Sequence, residues 1–207
     1  MYEIIRKEKI IAIVRAVSGD DILDVAEALA DGGIKLMEIT CNTPDTAKLI
    51  RKVSEKMQGR MHIGAGTVLS RELAEEVCAA GAKFILAPDV NPEVIEYCVQ
   101  FDISVIPGAF TPTEILYAMR LGARMVKLFP AGVLGTGYIK QLQGPIDNLD
   151  IVAVGGVDED NAGSFIKSGC SAVGIGSSLI RKEWIKKRDY QSLSSAAKRL
   201  RAKVDSA

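Results

Sequence analysis

Residues 122–129 read GARMVKLF: a glycine, a short polar step, then an apolar run with one lysine inside it. The same joint recurs at 32–39 (GGIKLMEI), 81–88 (GAKFILAP) and 169–176 (GCSAVGIG). In each, a helix-like segment stops at a glycine, which can take the left-handed cap that ends a helix, and a strand follows at once. Working outward, β-like runs occupy Ile10–Arg15, Lys35–Thr40, His62–Thr67, Lys83–Pro88, Ile103–Pro107, Arg124–Phe129, Ile151–Gly155 and Ser171–Gly176. All are short, apolar on both faces and rich in Val and Ile, the pattern of buried parallel strands. Their starts lie 20 to 27 residues apart, room for one helix and two short loops each time. The intervening segments carry helix signals. Asp20–Asp31 places Ile22, Leu23, Val25, Ala26 and Leu29 on one face. Ser70 stands where an N-cap belongs, and Thr111-Pro112 sets proline in the first helical position. Eight β–α units in unbroken series predict a single (β/α)8 TIM barrel over residues 1–207, with a short N-terminal helix. A doubly wound open sheet is the alternative. It would carry GxGxxG after its first strand, whereas Arg15-Ala16-Val17 stands there.

The chain of 207 residues has 26 Lys and Arg, 26 Asp and Glu, and one histidine, His62. A balanced charge speaks against nucleic acid as a partner. An apolar fraction of 48% excludes bulk disorder, and no apolar run approaches the ~18 residues of a membrane helix. Charges interrupt the N-terminal MYEIIRKEKIIAIVR, so it does not read as a secretory signal, and a cytoplasmic location is expected. Cys41, Cys78, Cys98 and Cys170 form no CxxC or CxxH pair. They are expected to be structural thiols, with no metal site. The basic stretch 181–203 is read as a solvated helix face.

In such a barrel chemistry gathers at the C-terminal strand ends. Two charges sit there inside apolar strands. Lys127 shares a strand face with Met125 and Phe129. Facing the interior, it would lose solvation and offer a neutral amine for Schiff-base chemistry; facing elsewhere, it would be a structural lysine paired with a carboxylate. Glu38, in LMEIT, is either its ion partner or a proton shuttle. Thr67 ends GAGT, where two glycines would let backbone approach a ligand, or simply make a tight turn. Gly155-Gly156 and Gly176-Ser177-Ser178 end strands seven and eight, where barrels hold phosphates on backbone N–H groups.

The segments EIT (38–40), GAGTVL (64–69), PG (107–108) followed by TPTE (111–114), KLFPA (127–131), AVGGV (153–157) and GIGSSL (174–179) together resemble the 2-keto-3-deoxy-6-phosphogluconate aldolase family, the KDPG/KHG aldolases. The resemblance runs over nearly the whole chain with its motifs in order. It implies a class I, Schiff-base aldolase that cleaves 2-keto-3-deoxy-6-phosphogluconate to pyruvate and glyceraldehyde 3-phosphate. It further implies a homotrimer with no metal and no cofactor. On matching positions it implies Lys127 as the Schiff-base lysine and Glu38 as general acid/base. Thr67 would lie on the pyruvyl carboxylate, Pro88 and Phe129 would wall the methyl pocket, and Gly155, Gly156 and Ser177 would hold the phosphate. Two departures stand out. Asn42 occupies the place of a common loop arginine, which would shift carboxylate recognition to Arg15 or weaken it. Val154 replaces a common Thr before the glycine doublet. Both resemble the branch acting on the galactonate epimer, 2-keto-3-deoxy-6-phosphogalactonate, which is the alternative substrate; activity on 4-hydroxy-2-oxoglutarate is a further alternative, and a sugar-phosphate epimerase or isomerase on the same barrel is the lesser one.

Overall fold

The structure, a computed structural model, describes all residues 1–207. Helices and strands alternate along the chain: α1 (Tyr2–Glu8), β1 (Ile10–Val14), α2 (Ile22–Asp31), β2 (Leu36–Thr40), α3 (Thr46–Lys56), β3 (His62–Gly66), α4 (Arg71–Ala79), β4 (Phe84–Leu86) and α5 (Pro92–Gln100). Then come β5 (Ser104–Ile106), β6 (Gly108–Ala109), α6 (Pro112–Arg120), β7 (Val126–Leu128), α7 (Ala131–Gln143), β8 (Ile151–Val154), α8 (Ala162–Lys167), β9 (Ala172–Ile175), α9 (Lys182–Lys187) and α10 (Tyr190–Asp205). All ladders are parallel, in the order β5-β4-β3-β2-β1-β9-β8-β7-β6. The two terminal strands of that order, β5 and β6, are separated in the chain by Pro107 alone, so the sheet comes round on itself as a barrel.

Here the fifth strand departs from expectation. Read as one run, Ile103–Pro107, it is two short strands that serve different neighbours: β5 pairs with β4, and β6 pairs with β7. Pro107 has no N–H to continue a ladder, but its carbonyl accepts from the Lys127 N–H at 2.8 Å. The switch of partners therefore falls on the residue that cannot donate. Below it, the N–H and C=O of Val105 face away from β4. The Tyr2 hydroxyl accepts from the former at 3.0 Å and donates to the latter at 3.1 Å, which satisfies both groups of an open strand edge.

The four joint glycines, Gly33, Gly81, Gly122 and Gly169, all have φ between +83° and +111°, as left-handed caps require. Helix starts follow the sequence signals as well. Ser70 Oγ accepts from the Leu73 N–H, and Thr111 with Glu114 forms a full capping box ahead of α6. Helix α2 begins at Ile22, two residues later than expected. The basic C-terminal stretch is only partly a solvated face. Helix α9 buries nothing, but α10 buries Leu193, Ala196, Ala197, Leu200 and Val204 and packs on α2 and α8.

Apolar residues divide into two groups. The larger lies between strands and helices. The smaller fills the barrel interior: Ile11, Leu36, Phe84, Leu86, Ile106, Met125, Val152, Val154 and Ala172, with Ile5 of α1 closing the floor. Gly64 makes the interior possible on one side, since a Cβ there would lie within 2.6 Å of three atoms of the Phe84 ring. No helix is long and apolar enough to cross a membrane.

Candidate active site

Glu38 and Lys127 stand above this apolar floor. β2 and β7 lie opposite one another, four strand steps apart by way of β1 and five by way of β5 and β6, so their inward side chains face one another across the interior. Both are buried, Glu38 at 1% and Lys127 at 6% exposure. No ion pair within 4.0 Å joins them, so neither is a simple structural counter-charge for the other. Oε2 of Glu38 is buried without any hydrogen-bond partner. Burial pushes the Glu38 acid up to about 7, with the charges of Lys127 and Arg15 pulling it back. Burial likewise lowers the Lys127 ammonium; Glu38 opposes this and Arg15 adds to it. A carboxyl poised near neutrality can give and take protons, and an amine that sheds its proton more readily is a nucleophile.

Gly66 explains how a carboxylate fits among the strands. It lies two residues beyond Gly64, which is level with Glu38 in the β2–β3 register. A Cβ at Gly66 would sit 2.7 Å from the Glu38 carboxyl carbon. The glycines of GAGT thus admit Phe84 and Glu38. The sequence signal was present, a glycine in a buried strand, but its target was not. Thr67 follows with φ at +57°, a left-handed conformation that is strained for a β-branched residue. Such strain fits a residue held for its position.

Phe129 links the two ends of the site. Its ring centre is 4.8 Å from Lys127 Nζ, and a Cβ on Gly155 would meet the same ring at 3.1 Å. Beyond it, Gly155 and Gly156 have φ of +86° and +73°. They pack backbone to backbone on Gly132 of α7, whose N–H donates to the Gly155 carbonyl at 2.7 Å. Ser178 Oγ donates to the Val157 carbonyl at 3.0 Å, tying the loop after β9 to the loop after β8. The N–H groups of Gly155, Gly156, Ser177 and Ser178 donate to no backbone carbonyl. Gly156 and Ser177 are exposed. Amides left free on two adjoining loops make a receptor for an anion.

The remaining expected residues lie around the same mouth. Arg15, exposed at the end of β1, is close enough for its charge to act on both Glu38 and Lys127. Pro88 is half-buried after β4, its backbone against Gly108, where a Cβ would lie 2.9 Å from the Ala87 carbonyl oxygen. Val154 points inward and leans over Gly174, where a Cβ would come within 2.8 Å of its Cγ2. Gly66, Gly132 and Ser178 complete the arrangement without having been singled out from sequence for what they hold in place.

Comparison with known proteins agrees with this geometry. Residues 1–196 match the family model described as KDPG and KHG aldolase. The chain is 33% identical over 199 residues to 2-dehydro-3-deoxy-6-phosphogalactonate aldolase of Escherichia coli (strain K12), covering 96% of this chain and 97% of that one. It is 34% identical to 2-dehydro-3-deoxy-phosphogluconate aldolase of Treponema pallidum (strain Nichols), covering 80% and 79%. A crystal structure of KDPG aldolase from Legionella pneumophila, with pyruvate captured as a covalent carbinolamine, superposes with a TM-score of 0.87. It is 27% identical and covers 93% of both chains. With a match that spans nearly the whole sequence, and with Lys127 and Glu38 facing each other inside the barrel, the chain belongs to the KDPG and KHG aldolase family.

Proposed function

We infer that this chain is a class I aldolase that cleaves a phosphorylated 2-keto-3-deoxy sugar acid to pyruvate and glyceraldehyde 3-phosphate. The observation that carries the reading is the buried, unpaired Glu38 carboxyl opposite the desolvated Lys127 amine. The Lys127 amine adds to the C2 carbonyl of the substrate, and Glu38 passes the protons that turn the carbinolamine into an iminium with loss of water. The iminium draws in the electron pair of the C3–C4 bond as it breaks, while the C4 hydroxyl proton leaves to the Glu38 carboxylate. The aldehyde departs with its phosphate. Protonation of the enamine at C3 and hydrolysis then release pyruvate and restore the amine.

Arg15 and Thr67 hold the carboxylate in this reading, and Pro88 and Phe129 enclose the pyruvyl methyl group. The free amides around Gly155, Gly156 and Ser177 grip the phosphate. Binding energy from that remote group orients the bond to be broken. Val154 presents methyl groups where a threonine would offer a hydroxyl, which favours the 6-phosphogalactonate epimer as substrate or as a second substrate. We further propose one catalytic domain over residues 1–207, a cytoplasmic homotrimer, and neither metal nor organic cofactor in the reaction.

Incubation with pyruvate and borohydride, followed by peptide mass mapping, tests the chemistry. A reduced pyruvyl adduct on Lys127 is expected, and an unmodified chain would sink the reading. Pyruvate release from both C4 epimers, with and without their phosphate, assigns the substrate.

A further inference from the structure

Arg15 is an exposed side chain just beyond the end of a strand, yet its charge reaches both Glu38 and Lys127. The backbone on either side of it is gripped by buried hydroxyls. Ala16, the next residue, is left-handed at φ +54°, a conformation an alanine does not hold without a tie. Its N–H donates to Thr43 Oγ1 at 3.0 Å. Thr43 Oγ1 lies 3.3 Å from Thr40 Oγ1, and Thr40 Oγ1 donates to the carbonyl of Val14, the preceding residue, at 3.4 Å. One consistent direction runs through the chain. Ala16 N–H donates to Thr43, the Thr43 hydroxyl donates to Thr40, and the Thr40 hydroxyl donates to Val14. Each hydroxyl donates once and accepts once. Thr40 and Thr43 are buried at 0% and 5% exposure. Thr46 braces the loop beneath, its hydroxyl within donating reach of the carbonyls of Thr43, at 2.5 Å, and Thr40, at 3.1 Å. The far end of the Arg15 loop is anchored separately, where Asp21 accepts from Ser18 and Tyr190, both at 2.7 Å.

We propose that Thr43, through Thr40, is a positioning residue that holds Arg15 over the carboxylate end of the site, so that the loop after β2 acts on substrate through the strand beside it. The inference rests on the aldolase reading, in which Arg15 meets the substrate carboxylate. It gives the loop after β2 a role even with Asn42 where a direct arginine contact would stand.

The test uses the full-length protein with a coupled pyruvate-release assay on 2-keto-3-deoxy-6-phosphogluconate and its galactonate epimer. Thr43→Val keeps the volume and removes the acceptor, and KM is expected to rise about fivefold with kcat changed less than about threefold, the scale of one lost hydrogen bond. Thr43→Ser keeps the hydroxyl and is expected to restore KM to within about twofold. The deciding measurement is the double variant. If Thr43 acts through Arg15, adding T43V to R15A raises KM no further; effects that multiply would overturn the proposal. An unchanged KM in a folded T43V protein would overturn it too. Should T43V not fold, Thr40→Val cuts the same chain one link along and is read the same way. If the wild-type protein forms no pyruvate adduct, the aldolase reading fails and takes this inference with it. An adduct in wild type beside an unaffected T43V defeats this inference alone.

Discussion

Replacing Gly66 with alanine would place a methyl group 2.7 Å from the carboxyl carbon of Glu38, and closer still to Oε1. Carbon atoms in contact settle at about 3.5–4.0 Å, so one of the two groups must retreat by about 1 Å. Gly66 lies in β3, bonded to β2 along the full register from Leu36↔His62 to Thr40↔Gly66, and a laddered strand moves less readily than a side chain. The carboxyl therefore gives way. A catalytic group displaced by about 1 Å loses about 100-fold in rate, which is about 2.7 kcal/mol of barrier. Steady-state pyruvate release should show kcat of G66A reduced about 100-fold, with KM changed far less, because the laddered strand keeps Thr67 in place and the phosphate contacts lie elsewhere. Borohydride trapping with pyruvate should still label Lys127, though more slowly, since Glu38 also serves the dehydration step. Thermal denaturation checks that the variant is folded, with a loss of about 1–3 kcal/mol expected from overpacking. A folded G66A protein with kcat within about threefold of wild type would refute the placement of Glu38 as the proton-transfer group.

Three further outcomes are expected. Burial pushes the Glu38 acid from its ordinary 4.5 up to about 7, so its ionisation opposes folding: the full stability is present below pH 4.5 and is lost as pH rises through about 7. Glu38→Gln, which never ionises, should gain about 3 kcal/mol over wild type at about pH 8 and almost nothing at 4.5; denaturation curves showing a pH-independent difference would contradict this. Tyr2→Phe should lower stability by about 1–2 kcal/mol, because it orphans the N–H and C=O of Val105, while kcat and KM stay unchanged in the same pyruvate assay. Val154→Thr adds a hydroxyl to the interior wall, and the ratio of kcat/KM for the gluconate over the galactonate epimer should rise about tenfold; an unmoved ratio would remove Val154 from the account of epimer choice.

Much of the barrel was legible before any coordinates. Four glycines before four strands, a serine and a threonine at helix starts, and short apolar runs at regular intervals were each readable within a few residues. The energies behind them are equally local: a positive φ, a capped N–H, a side chain alternating across a strand. Lys127 and Glu38 also stood out locally, as charges in otherwise apolar strands. The split at Pro107 was hidden, since a proline at a strand's end is ordinary and only the closing ring shows that the chain changes partners there.

What the sequence by itself determined is therefore the set of elements, their order, and which side chains would be anomalous if buried. Only the tertiary structure decided what those side chains face. The β2–β3 register brings Gly66, 28 positions along the chain, against Glu38. The ring sets Lys127 across from Glu38 instead of beside it, and the packing of two loops puts Thr43 under the residue that follows Arg15. The division has a physical cause. Backbone conformation and capping are settled between near neighbours in the chain, whereas the field at a buried carboxyl depends on strands that meet only once the barrel has closed.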